Sequence, residues 1–445
     1  MHRISCLPLL LLPTAFADPN VLSLAPLVDL GYARYRGSTD PHSNITTFLG
    51  IRFAAPPTGS LRFQAPQNPT EVNAIQDATE FPPQCYQSLM GLSPTNSLLP
   101  VHKRAIEPTH TSEDCLFLDV VVPHIRTAYE LPVVASMDAW WRAHGGRTHP
   151  PLFRAAMTSS AIAISQYPAD DLLPTAYYYR LANLTGCLAP SAMNLSSFDC
   201  LVALDSDVLG LANALIITSG FFGTVAFGPV VDGEFIIERP MLTLGRGRVN
   251  GDILLAVTNT FEGHNFVPPD LNLTTMSLSH YARELFPLMS AMQMERVETI
   301  YKELGGSLQD QAISVVGESI FICPSYHLLR AFEGRSWKGE FAIPPGYHGD
   351  DIPYYFTSGG QPFPSPAFIS SFSGSFLDVI LSLNPNIHFD LANKTPHWPH
   401  WSVDHEEMLF NKTESGEPLI RVVKTDDGLL ERCKFWESVS AQTAQ

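Results

Sequence analysis

Basic residues are scarce in this chain: lysine and arginine number 27 against 44 aspartates and glutamates, a net charge of −17 over 445 residues. A polyanion is bound through a basic patch, so this balance excludes nucleic acid and anionic membrane surfaces as expected partners. Metal signatures are missing too. No Cys-x-x-Cys occurs, and His405-Glu406-Glu407-Met408 stops short of His-Glu-x-x-His, so no metal or cofactor is expected. Beyond the first residues, no run is read as reaching the roughly 20 apolar residues of a membrane span. The most informative absence concerns serine. Four Gly-x-Ser triplets start at Gly91, Gly305, Gly317 and Gly334, but the residues that follow at the last motif position are Thr95, Gln309, Phe321 and Lys338. None is glycine. The chain therefore holds no Gly-x-Ser-x-Gly elbow, in which flanking glycines let neighbouring chains close on a strained serine.

What is present begins with a leader. Met1-His2-Arg3 precedes a mostly apolar run through Leu9-Leu10-Leu11-Leu12 to Ala15-Phe16-Ala17. A positive start, a short apolar core and an A-x-A ending predict a signal peptide over residues 1–17; a buried N-terminal helix is the competing reading. A secreted product follows, with no membrane span. Six Asn-x-Ser/Thr sequons fit that address, at Asn44, Asn183, Asn194, Asn272, Asn393 and Asn411, although occupancy requires surface exposure. Apart from Cys6, six cysteines remain: Cys85, Cys115, Cys187, Cys200, Cys323 and Cys433. An even count in this context favours disulfides over metal or redox chemistry. With no repeat, low-complexity tract or long linker, residues 18–445 read as one domain.

The periodicity alternates. Leu116–Val122, Leu131–Val134 and Ile253–Val257 are short apolar runs of strand character, the last fit for burial on both faces. Phe153–Ser160, Ala176–Leu184 and Met292–Leu304 read as amphipathic helices. Strands alternating with helices predict an α/β fold: a mostly parallel sheet covered by helices on both faces, with chemistry beyond the carboxyl ends of its strands.

Seven signatures occur in order along the chain. They are Phe48-Leu49-Gly50-Ile51-Arg52-Phe53-Ala54-Ala55-Pro56-Pro57; Ser112-Glu113-Asp114-Cys115-Leu116-Phe117-Leu118; Gly228-Pro229-Val230-Val231-Asp232-Gly233; Phe261-Glu262-Gly263; Cys323-Pro324; Tyr347-His348-Gly349; and Arg432-Cys433-Lys434-Phe435-Trp436. On these the chain resembles the type-B carboxylesterase family, which includes cholinesterases and fungal extracellular lipases, and whose members have the α/β-hydrolase fold. The resemblance implies that Glu262 is the acid and His348 the base of a catalytic triad, in the hydrolase order of serine, acid, histidine. It implies disulfides Cys85–Cys115 and Cys187–Cys200, and a structural ion pair between Arg62 and Glu113. The pairing of Cys323 and Cys433 stays open.

The same resemblance exposes a hole. The family's His-Gly-Gly-Gly oxyanion loop should follow Leu131–Val134, yet Ala135-Ser136-Met137-Asp138-Ala139-Trp140-Trp141 stands there. His144-Gly145-Gly146-Arg147 leads directly into Pro151–Ala156, a segment that in the family lies after the nucleophile. A deletion near 135–143 is inferred, removing about two or three βα units of roughly 30 residues each. Such a loss takes central strands from the sheet and leaves unpaired edges. Gly317-Glu318-Ser319 copies the family's letters beyond Glu262 and reads as a decoy. Ser136 is a weak surrogate nucleophile at most, since Val134 and Asp138 flank it at the elbow positions. The expected function is that of a carboxylesterase or lipase relative, inactive as written. Its partner would be a small-molecule or lipid ester were the segment restored. A non-catalytic binding module of the same fold is the alternative, and residual hydrolysis through Ser136 or an activated water is the third reading.

Overall fold

The computed structural model describes residues 25–87, 90–93, 111–123, 150–151, 153–188, 196–273, 275–356 and 360–445. The predicted leader, the run Leu131–Val134, Ser136, His144-Gly145-Gly146 and Asn194 lie outside them. The described residues fall into two compact units, one within Met1–Tyr86 and Pro108–Leu131, the other within Gln87–Glu107 and Pro132–Gln445.

The first unit holds β1 (Leu27–Asp29), β2 (Ala33–Arg36), β3 (Ser38–Asp40), β4 (Ile45–Arg52), β5 (Val72–Asp77) and β6 (Phe117–Pro123). They form two three-stranded sheets, ordered β1-β2-β5 and β3-β4-β6. Cys85 and Cys115 are bonded. Arg62 and Glu113 pair in fork geometry, Nε to Oε1 at 2.7 Å and Nη2 to Oε2 at 2.6 Å. A second fork, Arg52 to Asp114 at 2.6 and 2.8 Å, was not foreseen.

The second unit carries β7 (Ala155–Ser159), β8 (Ile253–Asn259), β9 (Ser336–Phe341), β10 (Glu406–Lys412) and β11 (Pro418–Lys424) in the order β11-β10-β9-β8-β7. β7 through β10 run parallel, and β11 closes the edge antiparallel. β8 is buried along its whole length. Its alternate residues feed two cores. Leu254 and Ala256 pack with Val297, Tyr301, Phe321 and Leu329, and Ile253, Leu255 and Val257 pack with Phe368, Phe372 and Val379. Each fully buried side chain of this size contributes about 1.5–3 kcal/mol, which fixes the strand that ends at the candidate site. The expected parallel sheet with helices on both faces is thus present. Among the described residues β7 is its last strand.

Three expectations are corrected. Phe153–Ser160, read as an amphipathic helix, contains β7: a five-residue apolar run cannot be assigned by periodicity alone, and pairing of Ala155–Ser159 with Ile253–Val257 decides it. One run does have the length and composition to cross a membrane. Leu308–Ala331 spans 24 residues at mean hydropathy 1.3, but 78% of its apolar window is buried inside the protein, the setting of a core helix. Third, Asn393 is no surface sequon. It is 5% exposed, and its Nδ2 donates to Asp378 Oδ2 at 3.0 Å, so a glycan there is incompatible with this packing. Asn44, Asn183 and Asn272 are exposed and Asn411 is half-buried.

The left-open cysteines pair as Cys323–Cys433, and Cys187–Cys200 forms as expected. On the helix Cys323–Ala331, His327 is 4% exposed and receives Arg330 Nη2 on its Nδ1 at 2.7 Å. A donor on Nδ1 requires a neutral ring. Burial, then the Arg330 charge, pushes His327 down to about 3. Glu437 lies 3.7 Å from Nε2 and would favour protonation, but it is half exposed, and burial with Arg330 outweighs it. The folded state therefore resists a proton that the unfolded chain takes up near pH 6.5, and stability falls as pH drops below that value. Between pH 7 and 4.5 the expected His327 contribution is a loss of about 2–3 kcal/mol. Urea midpoints at both pH values should show a steeper loss in the wild type than in His327→Gln; equal slopes would refute it.

Candidate functional site

Three segments converge at the carboxyl ends of β7, β8 and β9: Ser159-Ser160, Asn259–Glu262 and the turn Tyr347–Asp351. Glu262 is fully buried, and a buried carboxylate must be hydrogen-bonded to persist. Its Oε1 accepts from Asn259 N at 2.6 Å, Ser160 Oγ at 2.7 Å and Asn259 Nδ2 at 3.4 Å. Its Oε2 is left for His348 Nδ1, at 2.6 Å. A carboxylate only accepts, so His348 Nδ1 is the donor of this bond. The ring packs between Phe266 and Phe321, with centroids at 5.2 and 4.7 Å. Its side chain remains 33% exposed. Glu262 and His348, the residues singled out in the sequence, are thus hydrogen-bonded to each other.

Backbone geometry explains the glycines. A Cβ on Gly263 would lie 2.0 Å from Ile313 O, so only glycine lets the Glu262 loop sit against the helix behind it. Gly346 takes φ +70° in the turn before His348, a region that favours glycine. The two loops are stitched together by Phe261 N to Gly346 O at 2.8 Å, by stacking of His264 on Tyr347 at 3.7 Å, and by Asn265 Nδ2 to His348 O at 3.2 Å.

No Gly-x-Ser serine joins this pair among the described residues. Ser93 bridges to Phe221, and Ser307 caps the helix Leu308–Val316 with Asp310. Ser319 is buried in a π-helical turn, Gly317–Ile322, whose Glu318 pairs with Arg432, which confirms the decoy. Ser336 opens β9 and donates to Leu329 O. The serine that does meet the acid was missed. Ser160 follows β7 with φ +51°, and its hydroxyl points at Glu262 rather than His348. Asn259 and Asp351 were missed as well. Asp351 is fully buried and accepts from Asn259 Nδ2 at 3.0 Å, Tyr355 Oη at 2.7 Å and Ser159 Oγ. The signal available was their position, each three residues from the predicted acid or base.

In the same unit, a cavity of about 180 Å³ is lined by Tyr167, Tyr177, Phe227, Phe286, Gly223 and Ile320, among others. Its wall residue Gly223 abuts the backbone of Phe266, whose ring packs on His348.

Comparison with known proteins gives a consistent picture. A family model described as the carboxylesterase family matches residues 25–138 and 143–436. Mouse carboxylesterase 1E is 34% identical over 173 residues, 37% of this chain and 30% of that protein. Dog carboxylesterase 5A is 42% identical over 146 residues, 33% of this chain and 22% of that one. Human neuroligin-2 is 37% identical over 109 residues, 22% and 13% respectively. The matched segment spans under a third of each curated relative. In fold, the crystal structure of Aspergillus niger EstA superposes with a TM-score of 0.76 at 20% identity, covering 95% of this chain and 99% of that one. PNB esterase gives 0.67 at 17%, covering 92% and 99%.

Proposed function

Because the chain belongs to the carboxylesterase family, we propose that it keeps the acid and base of carboxylic-ester hydrolysis without the nucleophile, and that as written it turns over no ester. One observation carries this reading: the serine bonded to the pair, Ser160, donates to Glu262, and no serine among the described residues is hydrogen-bonded to His348. An acyl-enzyme route needs a hydroxyl hydrogen-bonded to the base. The family match breaks at residues 139–142, at the place where the oxyanion loop and elbow are lost from the sequence. Water taken up by His348 would lack those oxyanion donors, each worth about 10²–10³ in rate. Three disulfides fit an extracellular or secretory-pathway protein. On this reading residues 1–17 direct export, and Asn44, Asn183, Asn194, Asn272 and Asn411 serve as glycan acceptors.

The test is hydrolysis of p-nitrophenyl butyrate by the purified chain beside His348→Ala. Equal rates, with no labelling by a fluorophosphonate probe, are expected. A wild-type rate tenfold above the variant would overturn the proposal. A second reading has support in the aromatic cavity, whose wall residue Gly223 abuts Phe266, and in the likeness to neuroligin-2: a binding module that holds an apolar small molecule or lipid ester without turning it over. Saturable binding of a short-chain fatty acid by folded, monodisperse protein would favour it, and its absence would remove it.

A further inference from the structure

We propose that Asp351, acting through Asn259, is a positioning residue that sets how Glu262 meets His348. The inference rests on the reading of Glu262 and His348 as a retained acid–base pair, and it assigns work to a second buried carboxylate that takes no part in that pair directly.

Asn259 is the hub. It is the last residue of β8 and 1% exposed. Its Nδ2 reaches Asp351 Oδ1 at 3.0 Å, Ser160 Oγ at 3.2 Å and Glu262 Oε1 at 3.4 Å, while its backbone N–H donates to that same Oε1 at 2.6 Å. Its Oδ1, by contrast, is buried with no partner among the described residues. An orphaned buried acceptor costs free energy, and turning the amide over would relieve it only by aiming Oδ1 at two carboxylates. The carboxylates decide the orientation. Glu262 alone offers Nδ2 a contact of 3.4 Å, whereas Asp351 offers 3.0 Å; Asp351 is the stronger anchor.

Asp351 is equipped for this. It is fully buried and takes three donors, from Asn259, Tyr355 and Ser159, with no cation against it among the described residues. Tyr355 stays a donor at any working pH, because burial, then the Asp351 charge, raises its hydroxyl well above the ordinary range. One consequence follows. Oε1 of Glu262 is saturated by fixed donors, so Oε2 alone faces the imidazole. The other titratable groups of the surrounding loops are His264, Tyr347 and Asp350, and Asp350 Oδ2 is engaged by Tyr347 N at 2.8 Å.

The experiment uses the full chain and two readouts that a merely bracing role would not move. One is the downfield proton resonance of His348 Nδ1, identified by its loss in His348→Ala. The other is the pH midpoint of His348 carbethoxylation, taken as the difference from that variant. In Asp351→Asn the resonance should move upfield or vanish, and the carbethoxylation midpoint should change with it. Tyr355→Phe removes one donor to Asp351 and should shift both in the same direction by less. A folded Asp351→Asn with resonance and midpoint unchanged overturns the proposal. Should that variant not fold, Tyr355→Phe decides, a shift supporting the assignment and no shift overturning it. A wild-type protein without any His348-dependent resonance would show that the acid–base pair itself is not formed, and both readings would fall together.

Discussion

Lys338→Met is expected to destabilise the protein by about 3–5 kcal/mol, the range found when one partner of a buried ion pair is removed. Lys338 points into the sheet's interior at 1% exposure. Its Nζ lies 2.7 Å from Thr258 Oγ1, 2.7 Å from Gly339 O and 3.3 Å from Glu407 Oε2, and 5.7 Å from the Tyr326 ring centroid. Glu340 stands close by, held by Thr260 at 2.7 Å. Burial first, and then the Glu407 charge, raises the Glu340 carboxyl. Methionine fills the lysine's volume but leaves the buried Glu407 and the half-buried Glu340 without the ammonium. Since Glu340 is raised in the folded state, its linked stability is present below the ordinary carboxylate range and lost as pH rises through its folded value. The penalty in Lys338→Met should accordingly be smaller at pH 4.5 than at pH 8. Removing both charges with Lys338→Met/Glu407→Leu should recover much of the loss, because an apolar pair replaces an ion pair at little cost. A urea double-mutant cycle reads all three terms. A single-variant loss under about 1 kcal/mol, or a double variant as unstable as the sum of the singles, would contradict the account. The cluster bears on the site as well, because Thr258 and Thr260 flank Asn259 at the strand end from which Glu262 follows.

Glu262 and His348 were legible because their neighbours constrain the backbone: Gly263 for close approach, Gly346 for a turn of positive φ. Such constraints are local and leave letters in the sequence. The rest of the site is not local. Ser160 and Glu262 are 102 residues apart, and Asn259 and Asp351 are 92 apart. Neither Ser160 nor Asn259 differs in composition from any loop polar residue until the parallel pairing of β7 with β8 brings them together. The same pairing explains why Phe153–Ser160 was misread, since a five-residue strand is specified by its partner and not by its own period. Asn393 fails for the converse reason. Its sequon is intact, but the helix Pro366–Ser382 supplies Asp378 as a buried acceptor for its side-chain nitrogen, which no spacing rule reveals. Gly317-Glu318-Ser319 shows that letters without context mislead. A nucleophile elbow requires a strand before it, and Val316 before this triplet is helical.

Loss of the Cys323–Cys433 bond, in Cys323→Ala/Cys433→Ala, is expected to cost about 4–5 kcal/mol, because the cross-link closes a loop with a sequence separation of 110. The Cys187–Cys200 bond closes only 13. On loop entropy the two should differ by about 2 kcal/mol in urea unfolding, the longer loop losing more. A shorter-loop variant that loses as much would place the effect in the native state instead. The bond joins two helices, Cys323–Ala331 and Asp427–Ser438, that other contacts also hold. Arg432 reaches both oxygens of Glu318, Tyr301 Oη donates to Glu318 at 2.7 Å, and Trp436 Nε1 donates to Tyr301 Oη at 2.8 Å. These contacts survive in the double variant. The helix Asp427–Ser438 should therefore stay docked, and Trp436 fluorescence should report one unfolding transition coincident with far-ultraviolet dichroism. An earlier, separate fluorescence change would mean that the disulfide, rather than the Glu318–Arg432–Tyr301 network, keeps this helix against the core.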